Sequence, residues 1–319
     1  MNTHISQTEV HTVLTQNLQE WKSLIQSRSR PLTPFSTETA PRLSLITNIK
    51  AVVYDIYGTL LISGSGEVGS LTNDKNYGEL NFFNAFQRAG IIPSLSPAVF
   101  NGICSKLYKE AIQNRHRELK AQGIDYPEVD ILEIWQSVMK SLYHDKIISH
   151  SLSAYNIILI ALEYELSANP TWPMTNACST LATLFRHNYI MGIVSNAQFY
   201  TPLILDSLCE PSLASLGIAE EARVWSYKLG YAKPSTRLFT SLLEHFDYSF
   251  GIQPVEILYV GNDMLNDIYT ASAVGCRTAL FAGDQRSLRV RRENSLVQSL
   301  QADAIITDIA QLPQILGLN

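Results

Sequence analysis

Three short apolar runs, Ala51-Val52-Val53-Tyr54, Ile190-Met191-Gly192-Ile193-Val194 and Ile257-Leu258-Tyr259-Val260, each stop at a small polar or acidic residue. Runs of this length and composition read as buried strands, and a parallel sheet is the fold that buries a strand on both faces. In an open parallel sheet, ligands bind in the crevice beyond the carboxyl ends of the strands. The residues that follow these runs are therefore the first to read for chemistry. Asp55 follows the first run and is succeeded by Ile56-Tyr57-Gly58-Thr59-Leu60, where Gly58 allows a sharp turn and Thr59 offers a hydroxyl and a backbone N–H. Asp55 is then either a nucleophile facing the crevice or a cap for the next segment.

Later residues favour the first reading. Ser195-Asn196 follows the second run; Lys233 precedes Pro234, which biases it toward an extended loop; and Gly261-Asn262-Asp263 through Asp267 follows the third. The i, i+4 spacing of Asp263 and Asp267 places both on one side of a first helical turn. A carboxylate nucleophile splits a hard displacement into two easier steps, and Ser195 and Lys233 can hydrogen-bond and neutralise a transferring phosphoryl group.

In their order and content, Asp55-Ile-Tyr-Gly-Thr-Leu60, Val194-Ser195-Asn196, Lys233-Pro234 and Gly261-Asn-Asp-Met-Leu-Asn-Asp267 resemble the four motifs of the haloacid dehalogenase-like (HAD) hydrolase superfamily. The resemblance implies a catalytic group of Asp55, Thr59, Ser195, Asn196 and Lys233. It also implies Mg2+ held by Asp55, the backbone carbonyl of Tyr57 and Asp263, with Asp267 orienting Lys233 or a metal-bound water. Hard oxygen ligands suit that ion. Two departures bear on the reaction. Tyr57 stands where phosphatases of the superfamily carry a second Asp, and a phenol with an ordinary pKa near 10 is a poor acid-base group at neutral pH. Tyrosine there is the pattern of the 2-haloacid dehalogenase branch. That branch, however, replaces the first acid of the last motif by serine and carries a tyrosine six residues after the motif lysine, whereas this chain has Asp263 and Phe239. Without a metal, Asp55, Asp263 and Asp267 would leave uncompensated charge. The leading expectation is thus a Mg2+-dependent phosphatase acting through an aspartyl-phosphate on a small phosphorylated metabolite, with acyl and aryl phosphates preferred over alkyl phosphates. The alternatives are a metal-free 2-haloacid dehalogenase and a weakly catalytic binding protein.

The motif spacing divides the chain into an N-terminal helical extension and linker (1–48), an α/β core (49–63 and 171–319) and an inserted segment (64–170). Apolar residues recur at helical intervals through Phe82-Phe83-Phe86, Ile103-Leu107-Ile112, Ile131-Ile134-Val138-Leu142 and Ile157-Ile160-Leu166, so the insert reads as all helix. The resemblance makes it a cap that closes over the site. The expected fold is α/β, a doubly wound, mainly parallel Rossmann-like sheet with that helical cap, and Thr278–Phe281 and Ala304–Ile306 supply further strands. Ser63 through Gly69 reads as a cap hinge and lacks the lysine of a P-loop. Val10 to Ile25 reads as one amphipathic helix before a Ser/Thr/Pro-rich link from Ser27 to Pro41.

The 319 residues, 46% hydrophobic and 17% charged, suffice for more than one domain, and a net charge of −5 speaks against a nucleic-acid binder. No apolar stretch is long enough to cross a membrane and no signal peptide is recognisable, so a cytoplasmic location is expected, and the resemblance implies a small anionic substrate. Cys104, Cys178, Cys209 and Cys276 show neither CxxC nor zinc spacing, which suggests a reducing setting. Arg115 and Arg117 with His116, the arginines 286, 289, 291 and 292, and Trp135 with Tyr143 read as solvated surface or helix core rather than as site residues.

Overall fold

The computed structural model describes residues 5–66, 81–149 and 153–318. It divides into two compact units, one of Met1–Ser29 with Gly69–Pro170 and one of Arg30–Val68 with Thr171–Asn319.

The first unit is helical: α1 (Gln7–Gln16), α2 (Leu18–Arg28), α3 (Asn81–Arg88), α4 (Pro97–Ala121), α5 (Ile131–His144) and α6 (Ala154–Ala168). The spacing Ile131, Ile134, Val138, Leu142 buries one stripe of α5, and the Asp130 carboxylate caps that helix by accepting from Leu132 N–H. Phe82, Tyr108, Trp135 and Tyr164 stack with centroids 4.5 to 5.9 Å apart at the centre of the unit. Trp135 thus belongs to the core, while Tyr143 is half exposed. The single helix expected over 10–25 is two helices, because the Asn17 amide donates to Val13 O at 2.8 Å and competes with the backbone ladder there. The extension expected over 1–48 also divides. Its helices belong to this unit: Trp21 stacks on Tyr155 at 5.1 Å, and buried Glu163 accepts from both Arg28 (2.8 Å) and Arg88 (3.1 Å). Residues 30–48 run with the other unit.

The second unit holds a six-stranded parallel sheet of β1 (Ala51–Tyr54), β4 (Ile190–Ser195), β5 (Arg223–Trp225), β6 (Ile257–Gly261), β7 (Arg277–Phe281) and β8 (Ala304–Ile306). Two further strands, β2 (Leu61–Ser63) and β3 (Thr171–Pro173), form an antiparallel ribbon at the points where the long insert leaves and rejoins this unit. The sheet order β5-β4-β1-β6-β7-β8 is the doubly wound order in which the winding reverses between the first and fourth core strands, here β1 and β6. Helices α7 (Ala177–Arg186), α8 (Tyr200–Leu208), α9 (Ser226–Leu229), α10 (Arg237–Phe250), α11 (Thr270–Ala273) and α12 (Leu312–Ile315) connect and flank the strands. Leu238, Phe239, Leu242 and Phe246 of α10 pack in one cluster with Val53, Val194 and Tyr259. The α/β Rossmann-like reading therefore holds, with β5 the strand that sequence patterning missed.

Cys178 and Cys209, 31 residues apart, are joined as a disulfide with Cα atoms 5.8 Å apart, and Cys104 and Cys276 are buried thiols. The reducing setting inferred from cysteine spacing does not follow, because pairing depends on tertiary proximity rather than on sequence interval. No helix among the described residues is long and apolar enough to cross a membrane. Of the expected hinge, residues 67–69 lie outside the described residues; Ser63 ends β2, and Gly66 has φ +77°.

Candidate active site

Strand β1 delivers Asp55 to the switch point, and the turn beyond it depends on Gly58. That residue has φ +80°, and a Cβ there would stand 2.4 Å from Ser287 Cβ and 2.7 Å from Asn262 Nδ2. The chain can thus fold back against the segment after β6. Asp55, Tyr57, Gly66, Asn196, Lys233, Asn262, Asp263, Asn266, Asp267, Arg289 and Arg291 line one cavity of about 310 Å³.

At its floor Lys233 Nζ, almost fully buried, donates to Asp55 Oδ1 at 2.7 Å, Asp267 Oδ1 at 2.6 Å and Tyr259 OH at 2.9 Å. Ser195 Oγ donates to the same Asp55 oxygen at 2.9 Å. The described hydrogen bonds on the Asp55 side chain therefore converge on Oδ1. Burial acts to lower the Lys233 pKa, but Asp267 and Asp55 outweigh it, and the net displacement is upward. For Asp267, burial raises the pKa, Lys233 opposes, and Asp55 and Asp263 raise it again; the balance is a carboxyl pushed up to about 7. The Tyr259 phenol is pushed well above its ordinary range by burial and by the two neighbouring carboxylates, and its O–H donates to Val194 O at 2.7 Å. Tyr259 went unnoticed in the sequence; a phenol inside an otherwise apolar strand, four residues before Asp263, was the available signal.

The other expected residues take more structural parts. Asn196 ties down the lysine loop, accepting from Lys233 N–H at 2.7 Å and donating to Lys233 O at 3.4 Å. Thr59 does not line the cavity: its hydroxyl donates to Asn262 Oδ1 at 3.1 Å and its N–H to Ile56 O, so it braces the wall behind the site. Tyr57 OH shares a hydrogen bond with Thr201 Oγ1 at 3.0 Å, and Phe239 packs its ring on Tyr259 at 5.0 Å. Arg115 pairs with Glu118 and Glu133 within the helical unit.

The segment after β6 carries the main surprise. Asp263 N-caps a π-type turn over Met264–Tyr269, its Oδ1 accepting from Leu265 N–H (2.8 Å) and Asn266 N–H (3.2 Å). Arg291 adds a bidentate pair: Nε stands 2.9 and 3.0 Å from the two Asp263 oxygens, and Nη2 stands 2.6 Å from Oδ2. Asp267 Oδ2 accepts from Asp263 N–H at 2.9 Å, and its Oδ1 faces Lys233 and Tyr259. A carboxylate offers about four lone-pair directions, and those of Asp263 are spent on five contacts. The donor set expected for Mg2+, Asp55 with the Tyr57 carbonyl, Asp263 and Asp267, does not fit a divalent ion as folded, because the Arg291 guanidinium already covers both oxygens of Asp263. The described residues show no group of three His, Cys, Asp or Glu that could hold a metal. The loop arginines, read as plain surface, are split. Arg286 stacks on Phe35 and pairs with Asp284, whereas Arg289 and Arg291 enter the site. A run of arginines just after β7 was the signal, since the loop after that strand leaves from the sheet rim that carries Asp55.

No protein-family model matches the chain, and no curated protein matches it. Among solved structures it is similar to a predicted phosphoglycolate phosphatase from Haemophilus somnus 129PT, at 18% identity over 85% of this chain and 99% of that one, with a TM-score of 0.45. It is also similar to a putative HAD-hydrolase, YfnB, from Bacillus subtilis bound to magnesium, at 15% identity over 85% and 99% of the two chains with a TM-score of 0.45. A third is a 2-haloacid dehalogenase from Pseudomonas syringae pv. Tomato DC3000, at 18% identity over 84% and 98%, with a TM-score of 0.49.

Proposed function

We propose that this chain is a HAD-like hydrolase in which Asp55 attacks a small anionic substrate and forms a covalent aspartyl intermediate, with phosphoryl transfer, through an acyl phosphate, as its leading chemistry. The observation that carries this is the placement of Asp55 at the switch point, with Ser195 and Lys233 both on Oδ1. That leaves Oδ2 as the attacking oxygen. In the first step Oδ2 forms a bond to phosphorus while the bond to the leaving oxygen breaks, and the leaving group takes the electron pair. Water then attacks phosphorus as the bond from phosphorus to Oδ2 breaks, the electron pair returns to the Asp55 carboxylate, and the water protons leave with the released phosphate and bulk solvent. Lys233, Arg289 and Arg291 line the cavity and supply the positive charge that such a transfer needs.

The position two residues after Asp55 supplies no acid for the leaving group in this reading, because it is a phenol committed to Thr201. Alkyl phosphates would forgo the roughly 10²- to 10⁴-fold of general acid catalysis, whereas acyl and aryl phosphates would forgo little. Two observations favour a second reading, displacement of halide from a 2-haloacid: Tyr57 itself, and the pairing of Asp263 with Arg291. That pairing removes the uncompensated charge that spoke against an anionic haloacid.

Turnover in 18O-labelled water separates the readings. Phosphoryl transfer puts label in the released phosphate and none in the protein, because water attacks phosphorus. A carbon ester is opened at the Asp55 carbonyl carbon, so label enters Asp55 and is seen by peptide mass spectrometry. Acetyl and p-nitrophenyl phosphate should turn over faster than sugar phosphates, and Asp55→Asn should end turnover with an unchanged circular dichroism spectrum. Undiminished turnover by correctly folded Asp55→Asn would refute the proposal.

A further inference from the structure

We infer that Arg291 is the resident cation of Asp263, filling by its own side chain the position that a divalent metal would need, so that the site as folded holds no divalent ion. The inference rests on reading Asp55 as the nucleophile and adds which positive charge accompanies it.

Three features show that the pair is built rather than a passing surface contact. The guanidinium reaches both Asp263 oxygens, and a planar fork on a carboxylate is the strongest of the common charge-assisted pairs. The loop carrying Arg291 is stitched to the strand end by backbone: Arg289 N–H donates to Asn262 O at 3.0 Å, and Met264 N–H donates to Arg289 O at 2.9 Å. Arg291 itself has φ +50°, a left-handed conformation that costs a non-glycine residue energy and persists where its surroundings enforce it. The Asp263 side chain is only 9% exposed, so its charge needs a partner.

The charge balance agrees. Asp55, Asp263 and Asp267 face Lys233 and Arg291 directly, with Arg289 also on the cavity wall. Mg2+ would have to displace the guanidinium from Asp263 and meet an octahedron of oxygens, while Asp263 Oδ1 would still be accepting from the two backbone N–H groups.

The test is a Mn2+ titration followed by electron paramagnetic resonance, in which the free-ion signal falls on binding; it needs no substrate. The wild-type protein should leave the signal unchanged up to millimolar metal. Arg291→Gln frees Asp263 and should bind Mn2+ at least about tenfold more tightly, since a contact positive charge has been removed. Adding Asp263→Asn should abolish that gain. If Arg291→Gln fails to fold, Arg291→Lys, which keeps a charge but loses the fork, should show a smaller gain in the same direction. Tight one-to-one binding by the wild type that is lost in Asp263→Asn would overturn the inference, as would equal Mn2+ affinity in wild type and in folded Arg291→Gln. Because no turnover is read, either result stands whether or not Asp55 proves to be the nucleophile.

Discussion

Replacing Lys233 by methionine would remove the ammonium shared by Asp55 and Asp267 while keeping most of the side-chain volume. The Lys233 and Asp267 side chains are each 2% exposed and that of Asp55 is 10% exposed, so the two carboxylates would be left without their common partner in a site of low water content. Breaking a buried pair from one side costs about 3–5 kcal/mol, and two orphaned acids argue for the upper end at alkaline pH. Asp267 has an escape: its folded pKa, raised to about 7 even beside Lys233, would climb further, and the acid would take up a proton. A carboxyl whose folded pKa exceeds its unfolded value contributes stability that is complete below the unfolded pKa and lost as pH rises through the folded one. The deficit of Lys233→Met relative to wild type should therefore stay level up to about pH 7, where Asp267 holds its proton in both proteins, and grow above it by about 1.4 kcal/mol per pH unit. Asp267→Asn should cost less, about 1–3 kcal/mol, because Lys233 retains Asp55 while the new amide faces the Asp263 N–H with the wrong polarity. The double variant should cost less than the sum by about 1 kcal/mol or more, the mark of a direct coupling. With two compact units the global melt need not be two-state, so amide exchange in β1 and β6 gives the loss in the sheet directly. A deficit below about 1 kcal/mol at pH 8, or one independent of pH, would refute this account of the site's electrostatics.

Gly261→Ala should damage the site without replacing a polar group: its Cβ would stand 2.3 Å from Asp267 Cγ, where ordinary contacts begin at 3.4 Å. Asp267 would have to move by about 1 Å, a misplacement that can cost about 10²-fold in rate, and initial rates within threefold of wild type would contradict it. In the helical unit, burial pushes Asp130 up to about 6, against the smaller opposing effect of its bond from Leu132 N–H. Its contribution to stability is present below the unfolded pKa near 4 and is lost as pH rises through about 6. Asp130→Asn keeps a capping side chain, so its stability relative to wild type should rise by on the order of 2 kcal/mol between pH 4 and pH 8, measured by urea denaturation, and a flat difference would count against it.

Much of the sheet and the identity of the acids were legible from local pattern. An apolar run that ends in Asp55, Ser195 or Asp263 carries its own meaning, because strand period and burial are set over a few residues. The helical insert was legible for the same reason, since α5 shows its buried stripe in the spacing of Ile131, Ile134, Val138 and Leu142. What stayed hidden depends on pairs far apart in the chain. Residues 31 positions apart formed a disulfide, and the N-terminal helices joined the helical unit through Glu163. Most consequential was Arg291: as one of four loop arginines it is indistinguishable from solvated surface until the loop after β7 is laid against the end of β6. Sequence alone determined which groups could do chemistry at the rim of this sheet. Tertiary structure decided what neutralises them, because an ion pair is made by distance in space, and a neighbouring guanidinium satisfies a carboxylate as fully as a metal would.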